Sequence, residues 1–279
     1  MQKNNIIKVL LALFVVSCAP LAEVDDPSGS GQGGPQTYSD SLDVLWKYVW
    51  AYYPFDNDAN NSVKDESGYE VRKDGTIFGE GTINYVSDTP SGRGKALMLN
   101  GDRGQYVNIP HNLFKDLDRF TISFWIKDFS TGAIISGINP SRVESNYYQN
   151  NHWPKLFMRN DGYISFDAEG RYYDFYDDSP KFSYNYTSIQ SAGWHHVAVT
   201  YTHPSDDDSR GTSNLYIDGV LVDNQTIGWR NPNNMTKINI GGDGSGCFPV
   251  APSMKIDNVA VYYASFSATY IKFIYLHRL

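Results

Sequence analysis

The chain is predicted to be all-β, a two-sheet antiparallel jelly-roll sandwich. Three observations carry this. Short period-two runs of apolar and polar residues recur from about residue 48 to residue 265, punctuated by Gly, Asn, Asp and Pro clusters. Helical periodicity is nearly absent over the same stretch. Residues 195–201 (HHVAVTY) and 215–222 (LYIDGVLV) read as strands, and Asp218-Gly219 is the dipeptide of a tight type I′ hairpin.

Taken in order, residues 41–50 either start a short helix at a Ser or Asp cap or feed their aromatics into the first strand. Clear strand patterns follow at 96–99, 106–109, 120–127, 163–166, 237–240 and 255–263. In residues 195–202, His195, Val197, Val199 and Tyr201 project one way and His196, Ala198, Thr200 and Thr202 the other, as in a strand with one buried face. Adjacent strand residues cannot chelate one ion together, so one of the two histidines is expected in the interior rather than on a metal. Near the end, Ser267 stands in N-cap position before a short apolar run.

The N-terminus has a different character. Lys3 and Lys8 precede an unbroken apolar run, residues 9–16, which is too short to span a bilayer and fits a secretory signal. Residues 15–18 (VVSC) resemble a bacterial lipobox, which implies lipidation at Cys18 and residues 1–17 as a removed signal peptide. Residues 18–40, rich in Gly, Pro and Ser, read as a flexible tether. Residues 41–279 form one domain, with no internal repeat or mid-chain linker. Glu23, Asp25 and Asp26 weakly resemble the acidic export signals of Bacteroidetes surface lipoproteins, though they lie farther from the cysteine. These features place the protein in the outer membrane, at the cell surface, held only by its lipid.

Loss of residues 1–17, with Lys3 and Lys8, takes the net charge from −8 to −10. Such a chain repels phosphate backbones and anionic headgroups, which argues against nucleic acid and peripheral lipid as partners. Cys247 is the only other cysteine, so no intramolecular disulfide forms beside a lipidated Cys18. Burial must supply the stability, and a domain of this size is large enough for it.

Several segments, in order, resemble laminin-G-like (concanavalin A-like) domains. They are Tyr52-Tyr53-Pro54-Phe55-Asp56, Asp65-Glu66-Ser67-Gly68, residues 96–101, 106–109 and 120–127, the 194–222 hairpin, Ile240-Gly241-Gly242 and residues 256–262. The resemblance implies a concanavalin A-like jelly roll and, in many members, a structural calcium near the opening strand with help from an aspartate of the last strand. Here it points to Asp56 and Asp257. Independently, Asp56-x-Asp58-x-Asn60-x-Ser62, followed by Asp65, offers oxygen ligands at alternating spacing, although it lacks the glycine and closing glutamate of an EF-hand.

This fold also hosts glycosidases, which need two carboxyl groups flanking the scissile bond. No Glu-x-Asp-x-Glu strand and no Gly-x-Ser-x-Gly elbow is present, so no catalytic residue is assigned and the chain is read as a non-enzyme. What stands out instead is aromatic residues in loops. Trp153 follows Tyr147 and Tyr148, Tyr172, Tyr173 and Tyr176 are interleaved with Arg and Asp, and Trp229-Arg230 leads into an Asn-rich run. Aromatic faces stack on the C–H faces of sugars, and planar Asp, Asn and Arg groups bind their hydroxyls. The ligand-binding candidates are therefore Trp153, Tyr172, Tyr173, Tyr176, Trp229 and Arg230, and the expected partner is a glycan or polysaccharide. An adhesin or assembly module contacting other outer-membrane proteins through the same loops is the alternative, since Tyr, Trp and Arg are also enriched at protein interfaces.

Overall fold

A computed structural model describes residues 38–138, 154–168, 181–190, 192–203, 210–228, 235–242 and 252–279. Among them, two antiparallel sheets of eight strands each lie face to face. Sheet A runs, in spatial order, Val220–Gly228 (β14), Arg210–Ile217 (β13), His195–Thr202 (β12), Arg119–Lys127 (β7), Met254–Tyr262 (β16), Ala96–Leu99 (β5) and Asn84–Val86 (β4). Val49–Tyr53 (β1) pairs with the second half of β16. Sheet B runs Lys181–Asn185 (β11), Tyr163–Asp167 (β10), Lys155–Met158 (β9), Gly132–Ile138 (β8), Lys237–Ile240 (β15), Tyr106–Ile109 (β6), Gly75–Phe78 (β3) and Ser62–Val63 (β2). Among the described residues two α-helices flank the sandwich, Tyr38–Tyr48 (α1) and Ala268–His277 (α2).

The alternation in the sequence becomes the core between the sheets. Phe120, Ile122 and Phe124 of β7 and Val197, Val199 and Tyr201 of β12 meet Ile134, Leu156, Ile164, Phe166 and Ile238 of sheet B. Each side chain buried in this way contributes about 1.5–3 kcal/mol. The hairpin also forms as its dipeptide requires. Ile217 pairs with Val220, and Asp218 and Gly219 both hold positive φ, 51° and 76°. Residues 41–50 divide between the two expected outcomes, with α1 ending at Tyr48 and β1 starting at Val49. Ser267 occupies the N-cap of α2 in extended conformation, without a side-chain capping bond.

One expectation needs correction. The outer face of β12 is buried as well as the inner one, because α1 and α2 lie on sheet A. Ala198, Tyr216, Ala260 and Tyr262 of the sheet pack with Leu45 of α1 and with Tyr270, Ile271, Phe273 and Ile274 of α2. Strand periodicity alone cannot show that a distant helix returns to cover the second face.

His196 sits in this outer layer, fully buried, its ring beside Trp125 and Tyr275 and its Nε2 2.8 Å from Ser123 Oγ. Burial lowers its pKa to about 3. The unfolded chain takes up this proton near pH 6.5 and the folded chain does not, so stability is lost as pH falls from about 6.5 towards 3. The slope reaches up to about 1.4 kcal/mol per pH unit. In urea unfolding at pH 7 and pH 4.5, His196→Gln should lose less stability on acidification than the wild type. Parallel losses in the two proteins would rule this group out as the acid sensor.

Trp194, which leads the hairpin motif, has a structural task. Its Nε1 donates to Asp88 Oδ1 at 3.0 Å, and Asp88 also accepts from Lys127 Nζ at 2.9 Å and Lys255 Nζ at 2.8 Å. These bonds hold the Asp88 carboxyl well below the usual carboxylate range and tie three strand ends of sheet A to one loop.

Candidate functional site

Helices occupy the outer face of sheet A, and the outer face of sheet B is reachable at β3 and β6 and largely buried over β8, β9, β10 and β15. Cross-strand register lines up a polar row on that face: Thr76 opposite Asn108, Asn108 opposite Asn239, Asn239 opposite Ser136, Ser136 opposite Lys155 and Lys155 opposite Asp167. Each alternates with core residues such as Ile77, Val107, Ile238 and Leu156, as the two-residue period demands. Asn108 Nδ2 donates to Asn239 Oδ1 at 2.7 Å, and Ser136 Oγ donates to Gly242 O at 2.9 Å. Thr76 and Asn108 stay reachable, while Asn239, Ser136, Lys155 and Asp167 are buried. Beside the open end of the row, Phe78 and Tyr106 are cross-strand neighbours with rings stacked 5.7 Å apart, and Phe78 is 48% exposed. Sequence reasoning missed this pair. The signal was there in Thr76-x-Phe78 and Tyr106-x-Asn108, whose outward positions the strand alternation fixes.

The six aromatic-loop candidates, Trp153, Tyr172, Tyr173, Tyr176, Trp229 and Arg230, lie outside the described residues, as does Cys18. The strand ends to which those loops attach are described, and those in sheet B are neighbours. Gly137 N donates to Pro154 O, Lys155 pairs with Asp167, Lys237 pairs with Ile138, and Thr236 N donates to Ile138 O. Segments 139–153 and 169–180 therefore join strands at one end of sheet B, the end that carries Lys155 and Asp167, while segment 229–234 runs from β14 of sheet A to β15 at that end.

Of the two proposed metal ligands, Asp257 lies on the opposite sheet and Asp56 in the turn that follows β1. Asp257 of β16 is buried, and its pKa is raised to about 8, first by that burial and then by the charge of Asp56, against the bond from Asn258 N. Asp56 is exposed and accepts from Lys95 N at 2.8 Å. The rest of the acidic ladder does not converge on them. Asp58 is buried, with Oδ1 accepting from Lys64 N at 3.0 Å and Oδ2 unpartnered. Burial raises its pKa to about 6.

Asp65 has a different role again. Among the described residues β1 pairs only with β16, and Asp65 and Lys73 line its other side. Tyr52 N donates to Asp65 Oδ1 at 3.1 Å, Lys73 Nζ donates to Trp50 O at 2.8 Å, and Glu66 N donates to Tyr52 O at 2.8 Å. The reading of Asp65 as a ladder ligand is corrected accordingly, since its carboxylate also accepts from Ser67 N and Lys73 N. Among the described residues no group of three or more His, Cys, Asp or Glu is placed to share an ion. Asp56 and Asp257 alone offer at most four of the six to eight oxygens that calcium takes.

The profile described as "Concanavalin A-like lectin/glucanases superfamily" matches residues 100–272, and the chain belongs to this family. Among solved structures, the chain resembles the receptor binding domain of botulinum neurotoxin C/D mosaic serotype (19% identity, TM-score 0.56, covering 84% of this chain and 52% of that one). It similarly resembles the binding domain of Paraclostridial Mosquitocidal Protein 1 (16% identity, TM-score 0.56, covering 84% and 53%). A third is the binding domain of botulinum neurotoxin DC in complex with SialylT (17% identity, TM-score 0.54, covering 84% and 52%). The likeness is one of fold, and the chain spans about half the length of these structures. No match was found among curated proteins.

Proposed function

We propose that the protein is a non-catalytic carbohydrate-binding lipoprotein of the outer-membrane surface, anchored at Cys18, that takes a glycan between its aromatic loops at one end of sheet B. The observation that carries this reading is the register of sheet B, which brings together both attachment points of the first two aromatic loops and the trailing one of the third. Family membership and structural neighbours that are themselves binding domains support a binding module. Calcium held by Asp56 and Asp257, with backbone oxygens completing the shell, belongs to the same proposal as a structural ion.

Affinity electrophoresis through gels of plant, host and microbial polysaccharides tests it. Trp153→Ala and Tyr172→Ala should each weaken retardation by about tenfold, the loss expected for one stacking ring. No retardation in any gel would remove the glycan reading. A pull-down from outer-membrane extract that competing sugar leaves unchanged would favour the adhesin or assembly reading.

A further inference from the structure

A second aromatic surface lies away from those loops, at the free edge of sheet A. Val49 pairs with Tyr262 and Ala51 with Val261, so Trp50 is the extra residue of a β-bulge. Bulges re-aim side chains, often at sheet edges and beside functional sites. Here the half-buried indole of Trp50 lies 4.6 Å from the ring of Tyr69, edge to face at 77°, and Tyr69 is 39% exposed. Tyr263 approaches the same indole at 6.5 Å and 87°. The Lys73 ammonium, itself buried, sits 4.0 Å from the Trp50 ring and 4.6 Å from the Tyr69 ring, and donates to the carbonyls of Trp50 and Val71. Two surface rings are thus pinned by one cation and do not have to be ordered when a ligand arrives. Arg72 Nη2 and Asp74 Oδ1, 3.0 Å apart and exposed, supply planar polar groups on the same loop.

We infer that Trp50 and Tyr69 form a second saccharide-binding platform, for a neutral sugar ring, with Arg72 and Asp74 at its polar rim. It shares the carbohydrate chemistry of the proposed function and none of its residues. Residues 65–74 carry four acids against two bases, which repels an anionic ligand. Two partly exposed rings offer an area suited to one or two sugar units and far below the ~800 Å² per partner of a stable protein interface.

The test is affinity electrophoresis of the full chain in gels of laminarin, xyloglucan or galactomannan, all neutral, and of anionic polygalacturonate. The proteins compared are wild type, Tyr69→Ala, Tyr69→Phe and the double variant Trp153→Ala/Tyr172→Ala. At least one neutral gel should retard the wild type, Tyr69→Ala should bind it about tenfold more weakly with unchanged melting, and Tyr69→Phe should bind normally. Polygalacturonate should retard none of them. Equal retardation of wild type and Tyr69→Ala overturns the platform, as does the absence of retardation in every neutral gel. Loss confined to the double variant overturns the platform and leaves the loop reading standing; loss confined to Tyr69→Ala does the reverse. Self-association of the wild type that Tyr69→Ala abolishes, without retardation in any gel, would mark the patch as a protein contact and also overturn the inference.

Discussion

Lys73→Ala should cost about 3–5 kcal/mol of folding stability, the penalty for removing one partner of a buried ion pair. The side chains of Lys73 and Asp65 are 4% and 1% exposed, with Nζ and Oδ2 3.9 Å apart. Their larger task is to close the edge of β1. Without Lys73 Nζ, the Trp50 carbonyl loses its partner, the buried Asp65 carboxylate loses its counter-charge and keeps only its backbone N–H donors, and a sheet edge opens to other chains. Asp65→Ala should be as damaging, because it also releases the backbone N–H groups of Tyr52, Ser67 and Lys73. Urea unfolding followed by tryptophan fluorescence reads the stability, and gel filtration reads edge-to-edge association. A loss below about 1 kcal/mol in both variants would show that the edge does not depend on this pair.

Much of the scaffold was legible because it follows from local rules. The period of two placed Val197, Val199 and Tyr201 in the core and separated His195 from His196. Asp218-Gly219 fixed a two-residue turn, because both positions need positive φ. His195 Nδ1 then meets Asp218 Oδ2 at 2.7 Å, a turn contact rather than a metal site. Roles set by non-local pairing were not legible. Asp65 looks like a ligand in sequence and serves as an edge cap, because nothing local reveals which strand lacks a neighbour. Trp50 is invisible as a surface residue until the register of β1 against β16 exposes the bulge. Phe78 and Tyr106 stand 28 positions apart and meet only when β3 and β6 pair. The proposal that pairs Asp56 with Asp257 came from family resemblance, since no spacing rule links residues two hundred positions apart.

Asp257→Asn should stabilise the calcium-free protein at pH 8. The Asp257 carboxyl has a pKa of about 8 in the folded chain against about 4 in the unfolded one. The unfolded chain therefore gives up this proton first as pH rises. The resulting penalty on folding starts near pH 4 and grows until about pH 8, with a slope of up to about 1.4 kcal/mol per pH unit. An asparagine is neutral throughout, so in chelator its melting temperature should change less between pH 5 and pH 8 and exceed that of the wild type at the upper end. Calcium should invert that order if the Asp56–Asp257 pair binds it. Metal displaces the proton and stabilises only the folded state, so the wild type gains with added calcium, and gains more at pH 8 than at pH 5. Asp257→Asn and Asp56→Asn should then gain little. If calcium leaves the wild-type melting curve unchanged at both pH values, the pair is a strained structural carboxylate couple and the ion has no place in it. A buried aspartate that weakens its own fold at neutral pH is the kind of residue a cation would explain, because the cation supplies the charge that desolvation and Asp56 deny it.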